Sequence, residues 1–310
     1  MTATVSPLRV SDLQASDKRK RRNRVVRGVF FVMALLSVVI SALIIVSLVG
    51  EAWTFISQVE IATLWTDQWN PRQGSFDLRT IMVGSLIVTI IAMIVAIPIG
   101  LGAAIYLSEY ARPRVRRVLK PVLEILAGIP SVVLGFFALS FISPEFVQRL
   151  FGDANLLNMT AAGIGVGILV IPLVASVSED AMRSVPQALR EGAYGMGARK
   201  ITVSLKVVVP AAISGLVAAF ILAVSRAIGE TMVVLIAAGT GGSARFTADP
   251  LESGITMTAA MATQARGTDA VRGSGLAFPS LFFVGLLLFG ITLGLNLIAG
   301  RVVKRVRQAY

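Results

Sequence analysis

Two residues of opposite charge stand close together inside an otherwise apolar segment. The chain reads VSRAIGETM over residues 224–232, so Arg226 and Glu230 are four positions apart. Residues at this spacing share one face of an α-helix, and we expect both on one face of a membrane helix. A charge at the centre of a bilayer costs about 2.5–3.5 kcal/mol on insertion scales. The two charges must therefore face the protein interior or a water-filled path.

The side chains of this segment are suited to an oxyanion. The planar guanidinium of Arg226 can donate two hydrogen bonds to two oxygens of one anion. The carboxylate of Glu230 can accept the hydrogen that phosphate retains at neutral pH and that sulfate lacks. The pair therefore predicts a pathway that favours protonated oxyanions.

Other interpretations of the same residues remain open. Arg226 and Glu230 can form a buried ion pair that only fixes helix packing. Ser225 and Thr231 flank the pair, and their hydroxyl groups can hydrogen-bond either to a transported anion or back to their own helix.

The composition predicts an integral membrane protein with no chemistry of its own. Of 310 residues, 55% are hydrophobic and 15% are charged, and the mean hydropathy is +0.79. Cysteine and histidine are both absent, which excludes disulfides, thiol chemistry and the usual zinc sites. We expect no metal site, no cofactor and no catalytic residue, because the commonest general base is also missing.

The positive charge alternates along the chain, although the net charge is +12. Four segments carry seven, five, five and four Lys/Arg: residues 18–27, 109–120, 181–206 and 301–310. The polar segments between them carry two, one and three Lys/Arg, respectively: residues 51–79, 142–159 and 239–278. This alternation predicts six spans with both termini in the cytoplasm, and some contact with anionic lipid. It argues against a nucleic-acid partner.

The apolar stretches predict an all-α membrane protein. We expect residues 1–24 to form a basic cytoplasmic tail and residues 25–310 to form one transmembrane domain. The first apolar stretch is too long for the core of a signal peptide, so we expect it to be retained. The six predicted spans are residues 28–50, 80–108, 121–142, 158–178, 207–238 and 279–300.

The largest inner loop, residues 181–206, contains a short polar segment that could lie in a partner's cleft. The chain reads EGAYGMGARKITVSLKVVVP from Glu191, and Gly197 permits a sharp reversal before the next span. This resembles the loop signature of ABC importer membrane subunits: Glu-Ala-Ala, three residues, Gly, nine residues, Ile, one residue, Leu-Pro. Four residues are in register with it: Glu191, Ala193, Gly197 and Pro210. Three positions depart from it: Gly192, Val207 and Val209.

Three further stretches carry a more specific resemblance. AGIPSVVLGFFAL (127–139), EDAMRSVPQALREGAYGMGARK (179–200) and SRAIGETMVV (225–234) resemble the permeases of phosphate-specific ABC importers. The residues of these stretches, and the Trp-Asn-Pro in the loop between the first two spans, are more similar to the C-type subunit than to the A-type subunit. The resemblance covers about residues 76–305.

The resemblance implies a type I ABC importer permease with six transmembrane helices in the bacterial cytoplasmic membrane. It implies three kinds of partner: a homologous A-type permease, two copies of a cytoplasmic ATPase, and an extracytoplasmic phosphate-binding protein. It assigns phosphate translocation to Arg226 and Glu230, and contact with the ATPase to Glu191, Gly192, Ala193 and Gly197. The chain contains no G-x-x-x-x-G-K-[ST] motif, so we expect ATP to be hydrolysed by the partner.

Three alternatives compete with a phosphate permease. The same machine could carry another oxyanion, such as molybdate or tungstate. An intramembrane enzyme would need a nucleophile and a base within the spans, and the chain has no His, no Cys and no G-x-S-x-G. A scaffold or signalling subunit that does not transport would have no need of Arg226 and Glu230.

Overall fold

The computed structural model describes residues 17–239, 244–265 and 275–306. The first sixteen residues of the predicted basic tail, and parts of the predicted loop 239–278, lie outside these ranges. The chain divides into two units, Met1–Gly50 and Glu51–Tyr310. In the first unit, the described residues belong to α1 (Asp17–Gln58), which contains the predicted first span and carries no charged residue on any face from Gly28 to Val49. Such a helix is suited to hydrocarbon on all sides.

The second unit is built of helices with a small sheet at one end. The helices are, in chain order, α2 (Leu78–Tyr110), α3 (Pro113–Leu126), α4 (Ser131–Leu150), α5 (Met159–Arg183), α6 (Gln187–Gly195), α7 (Lys200–Ala211), α8 (Ile213–Ile228), α9 (Met232–Ala237), α10 (Met257–Ala265) and α11 (Ala277–Val306). Among the described residues, five helices are long and apolar enough to cross a membrane: α1, α2, α4, α5 and α11. The number rises to six if α7 and α8 form one span. Six spans, and cytoplasmic ends, stay predictions.

The predicted third span, 121–142, falls on two helices instead of one. α3 ends at Leu126 and α4 begins at Ser131. The cause is the sequence AGIP between them, because proline disfavours helical backbone at the residue before it and has no N–H to donate. The span-length helix therefore covers Ser131–Leu150, and α3 is a separate element.

The predicted fifth span, 207–238, is broken twice. α7 and α8 meet at an angle of 72°, two residues after Pro210. A second break, at residues 229–231, separates α8 from α9. An unbroken helix from residue 207 to residue 238 is therefore wrong for this chain, and the second break falls within the charged segment.

Small residues let α2 and α5 pack closely at the centre of the second unit. A β-carbon added to Gly163 would lie 2.7 Å from Cβ of Ile91, and one added to Gly167 would lie 2.9 Å from Cβ of Val95. A β-carbon on Gly100 of α2 would likewise lie 2.7 Å from an α5 valine. The two helix backbones approach each other at these glycines, which is a usual way for membrane helices to associate.

A three-stranded antiparallel sheet closes the end of the second unit where α2 begins. β1 (Gln68–Asn70) lies between β2 (Ser75–Phe76) and β3 (Ala244–Arg245), and Trp69 is paired with Phe76. Trp69 is only 1% exposed, so its ring belongs to the core and not to a membrane interface. The sheet fixes the loops that join the helices at this end.

Gly163→Ala should lower the thermal midpoint of the purified chain in detergent. The added methyl group would collide with the branched side chain of Ile91, and such overpacking costs about 1–3 kcal/mol. The matched control is Gly102→Ala in α2, where the added β-carbon meets no atom within 4 Å. A midpoint for Gly163→Ala equal to that of the control would contradict the packing of α2 on α5.

Candidate functional site

The charged segment forms a break between two helices. α8 ends at Ile228, and the backbone N–H of Glu230 donates to the carbonyl of Ala227 at 3.2 Å. α9 starts only at Met232. The prediction that Arg226 and Glu230 share one face of a continuous helix is therefore wrong, because Gly229 ends the helix between them.

Glu230 stabilises the break on the α9 side. Its Oε1 accepts from the backbone N–H of Met232 at 3.2 Å and from that of Val233 at 3.5 Å. A carboxylate in this position satisfies N–H groups that have no partner in the helix, and it interacts favourably with the helix dipole. The carbonyl of Glu230 accepts from the hydroxyl of Thr258 at 2.8 Å, which joins the break to the start of α10.

Arg226 lies on the other side of the break and has no partner among the described residues. It occupies the last turn of α8 and is exposed. Within the described parts of the chain, its guanidinium makes no hydrogen bond and no ion pair, and in particular none with Glu230. Arg226 and Glu230 therefore do not form the buried ion pair that the alternative interpretation requires. The described residues therefore leave all five N–H donors of this side chain available to another molecule.

The two flanking hydroxyl groups behave differently from each other. Ser225 donates across to Oδ1 of Asn296 in α11 at a long 3.5 Å. Thr231 instead donates back to the carbonyl of Gly229 at 3.3 Å. Asn296 is exposed and lies in the apolar run of the last helix, so this contact brings an amide of α11 to the residue that precedes Arg226.

The predicted coupling segment forms the short helix α6 and a tight reversal. Glu191 and Gly192 are exposed, whereas Ala193 is 6% exposed and packs in a small core. Gly197 has a φ of +79°, in the left-handed region that favours glycine. The N–H of Ala198 donates to the carbonyl of Ala193 at 3.1 Å, which gives a Schellman motif. The exposed edge of α6 is thus held at a fixed angle to the chain that follows.

A buried arginine attaches α6 to two long helices. Arg190 donates to Oε1 of Glu109 at the end of α2 at 3.0 Å, and the two side chains are 10% and 5% exposed. Its guanidinium also donates to the carbonyl of Met182 in α5 at 2.9 Å and to that of Val185, just after α5, at 2.7 Å. One side chain therefore ties α6 to the ends of α2 and α5.

A second charge cluster joins α3 to the same end of α5. The carboxylate of Glu179 is fully buried, and its oxygens lie 2.5 Å from Arg116 and 3.0 Å from Lys120. The angles are outside those of a hydrogen bond, so the contact with Arg116 is an ion pair by distance alone. Lys120 also donates to Oδ1 of Asp180 at 2.9 Å.

The pKa of Lys120 is raised above 10.5, mainly because its ammonium group donates a hydrogen bond to Asp180. Burial lowers this pKa, and the nearby carboxylate of Glu179 raises it further. Because the folded pKa is the higher one, deprotonation of Lys120 removes this stabilisation as the pH rises from 10.5 through the raised value.

Residues 96–308 match the family described as the binding-protein-dependent transport system inner membrane component. The chain belongs to this family. It is 32% identical to the phosphate transport system permease protein PstC of Pasteurella multocida (strain Pm70), over 90% of this chain and 89% of the relative. It is 34% identical to the probable ABC transporter permease protein YqgH of Bacillus subtilis (strain 168), over 74% of this chain and 76% of the relative.

The fold has a counterpart among solved structures. A chain of the MetNI methionine ABC transporter, crystallised in inward-facing conformations, superimposes with a TM-score of 0.51 at 19% identity. The match covers 73% of this chain and 92% of that one. The permease therefore has the type I ABC importer fold, and it is a multi-pass component of the bacterial cytoplasmic membrane.

Sequence reasoning did not find three polar features of the permease. Asn296 could have been noticed, because it is an amide within an apolar run. Glu109 and Arg190 are 81 positions apart, and nothing in their spacing joins them. The same holds for Arg116 and Glu179, which meet only because α3 folds back on α5.

Replacing either member of the pair Glu109–Arg190 should destabilise the permease strongly. Glu109→Gln or Arg190→Met leaves one buried charge without its partner, at a cost of about 3–5 kcal/mol. The measurement is a double-mutant cycle by equilibrium unfolding in mixed micelles. The control is the exposed pair Glu145–Arg149, with an expected coupling of about 0.3–0.5 kcal/mol. Equal coupling energies for the two pairs would rule out the anchoring role of Arg190.

Proposed function

We propose that this permease is the C-type membrane subunit of an ATP-driven importer that carries inorganic phosphate into the cytoplasm. The family match and the relatives named as phosphate transport permeases support the transport class. The substrate assignment depends on one observation above all: Arg226 is an exposed arginine in an otherwise apolar helix, and no described residue pairs with it.

Arg226 is the proposed contact for the phosphate oxygens. A guanidinium that made a full set of bonds within its own chain would have to break them to bind an anion. Arg226 has none to break within the described residues, so its planar fork is available to two oxygens at once. Its place in the last turn of α8 also suits a cation, because the carbonyl end of a helix is partly negative.

In this proposal, Glu230 does not neutralise Arg226 but accepts a hydrogen from the transported phosphate. Its Oε1 is held by the N–H groups that begin α9, whereas its Oε2 has no hydrogen bond among the described residues. Oε2 can therefore accept the hydrogen of a protonated phosphate while Oε1 keeps the side chain in place. A fully deprotonated anion would meet only repulsion there.

The exposure of Arg226 supports a partner in the membrane. An unpaired charge that faced hydrocarbon would be costly, so in the assembled importer this surface faces a second subunit across an aqueous path. We assign the opposite side to the homologous A-type permease. A weak site fits this arrangement, because a path that binds its ion tightly does not release it.

The energy reaches this path through α6. We propose that two copies of a separate ATPase subunit bind the exposed edge of α6 at Glu191 and Gly192, while a binding protein delivers phosphate from outside. When the ATPase subunits close, α6 moves with the cleft that holds it. Arg190 passes this movement to α2 and α5, so the helices rock between inward-open and outward-open states.

Arg226→Gln should lower phosphate uptake by at least about tenfold, since a hydrogen bond to a charged group is worth about 1.5–3 kcal/mol. Arg226→Lys should recover only part of the rate, because an ammonium lacks the planar fork. The measurement is radiolabelled phosphate uptake by proteoliposomes that contain the whole importer. Arg301→Gln, at an exposed arginine of α11, is the control. Normal uptake by a correctly assembled Arg226→Gln importer would refute the assignment.

Glu230→Gln should alter the choice between anions more than it alters phosphate uptake itself. The amide keeps an oxygen for the N–H groups of α9 but removes the charge that repels unprotonated anions. We therefore expect sulfate and molybdate to compete better with phosphate in this variant. Unchanged competition in the same proteoliposomes would show that Glu230 only caps α9.

Glu191→Arg should disconnect the ATPase from the permease. A reversed charge on the exposed edge of α6 disturbs the proposed contact, while Ala193 and Gly197 keep the segment folded. We expect the ATPase subunit to be lost on co-purification and uptake to fall to background. The control is Glu145→Arg, the same reversal at the other end of the spans. Co-purification and uptake like those of the control would contradict the coupling role.

A further inference from the structure

α3 divides sharply into a polar side and an apolar side. At 100° per residue, its charged side chains fall on one half of the helix circumference, and its branched apolar side chains fall on the other half. The apolar half carries six exposed side chains that are 36–72% accessible: Val115, Val118, Leu119, Val122, Ile125 and Leu126. We refer to these six residues as the apolar stripe.

The contacts of α3 fix which way the apolar stripe faces. Arg116 and Lys120, at one edge of the polar half, reach Glu179 and Asp180 of α5. The stripe therefore points away from α5. An open groove of about 520 Å³ lies along the polar half, lined among others by Lys120, Glu124 and Arg183.

Two exposed arginines of α3 lie at different distances from the apolar stripe: Arg114 is at its edge, and Arg117 is on the polar half, where it lines the groove. Arg114 and Arg117 are exposed, and neither makes a hydrogen bond or an ion pair within the described residues. Arg116 and Lys120, in contrast, are both neutralised. The free positive charge of α3 thus lies on its polar half, from the edge of the apolar stripe to the groove.

We propose that α3 lies in the interface of the membrane, with the apolar stripe in the acyl region and with Arg114 and Arg117 bound to anionic phospholipid headgroups. The helix joins two helices of spanning length, α2 and α4, so it lies at the level where both leave the bilayer. A basic amphipathic helix at that level matches an anionic lipid surface in both charge and polarity. The AGIP sequence after Leu126 then provides the turn from the interface into α4.

This placement assigns α3 to the leaflet next to α6, since α3 packs on the end of α5 that leads into α6. The anionic leaflet is the source of the attraction. A second permease subunit lying on the stripe is the competing occupant, and the experiment distinguishes it because protein would exclude lipid from the stripe.

The chain has no cysteine, so single nitroxide labels can be placed on it directly. Val118→Cys and Ile125→Cys report on the apolar stripe, and Glu124→Cys reports on the polar half of the same helix. Each variant is studied in nanodiscs, both alone and assembled with the other importer subunits. We expect the two stripe labels to collide with oxygen more than with a water-soluble nickel chelate, and the Glu124 label to do the reverse. Stripe labels exposed to nickel, or shielded from oxygen in the assembled importer, would overturn the proposal.

A second measurement tests the headgroup preference. A bimane on Ile125→Cys is quenched by brominated phosphatidylglycerol or by brominated phosphatidylcholine at equal mole fraction. We expect phosphatidylglycerol to be enriched by roughly fivefold for each free arginine, which corresponds to about 1 kcal/mol per charge. Arg114→Gln with Arg117→Gln should remove the enrichment and leave the stripe labels in contact with oxygen. The control is Arg149→Gln, near the far end of α4.

Equal quenching by the two lipids in the labelled Ile125→Cys chain that keeps both arginines would overturn the assignment of anionic lipid. An enrichment that survives the double substitution would do the same. Because Arg114 and Arg117 have no partner within the described chain, these substitutions remove no observed contact that the fold depends on.

Discussion

The cost of a polar group without a partner in hydrocarbon governs how this permease is built. Wherever a helix stops, its terminal N–H and C=O groups must find partners nearby, because the acyl region supplies no water. The break after Ile228 meets this requirement locally. A carboxylate satisfies the first amides of α9, and a threonine hydroxyl from the start of α10 binds the carbonyl of Glu230. The break is therefore a defined turn, held on both sides by side chains.

The cost of an unpartnered charge distinguishes two groups of charged residues in the second unit: those that have a partner of opposite sign and those that do not. At the end that carries α6, buried charges have partners of opposite sign, as Glu109 has Arg190 and Glu179 has Arg116 and Lys120. At the break in the fifth segment, Arg226 is exposed and has no such partner among the described residues. Paired charges keep helix ends together, whereas an unpaired one is available to a visiting anion. This contrast, more than the presence of charge itself, marks the surface beside Arg226 as the candidate site.

Much of the fold could be predicted from the sequence, because hydropathy and local turn chemistry are short-range properties. Apolar length located α2, α5 and α11, and a glycine at the right distance from Glu191 indicated the reversal that Gly197 makes. The sequence failed where an apolar run hides a change of direction. The AGIP turn, the bend after Pro210 and the break at Gly229 each lie within stretches that hydropathy reads as continuous.

The candidate site could be predicted in its residues but not in its geometry. A charge in an apolar run is visible in one dimension, and so Arg226 and Glu230 were found. Whether they touch depends on a helix end, and a single glycine followed by a carboxylate is a weak signal for one. Contacts such as Glu109 with Arg190 depend on how α2, α5 and α6 converge, and no local pattern records that.

The fork of Arg190 has a mechanical consequence. Because its nitrogens bind a carboxylate of one helix and two backbone carbonyls at the end of another, rotation of α6 about its own axis would strain three directions at once. We therefore expect α6 to move together with the ends of α2 and α5 and not independently of them. A displacement of about an ångström at its exposed edge would then move the ends of α2 and α5 by a similar distance.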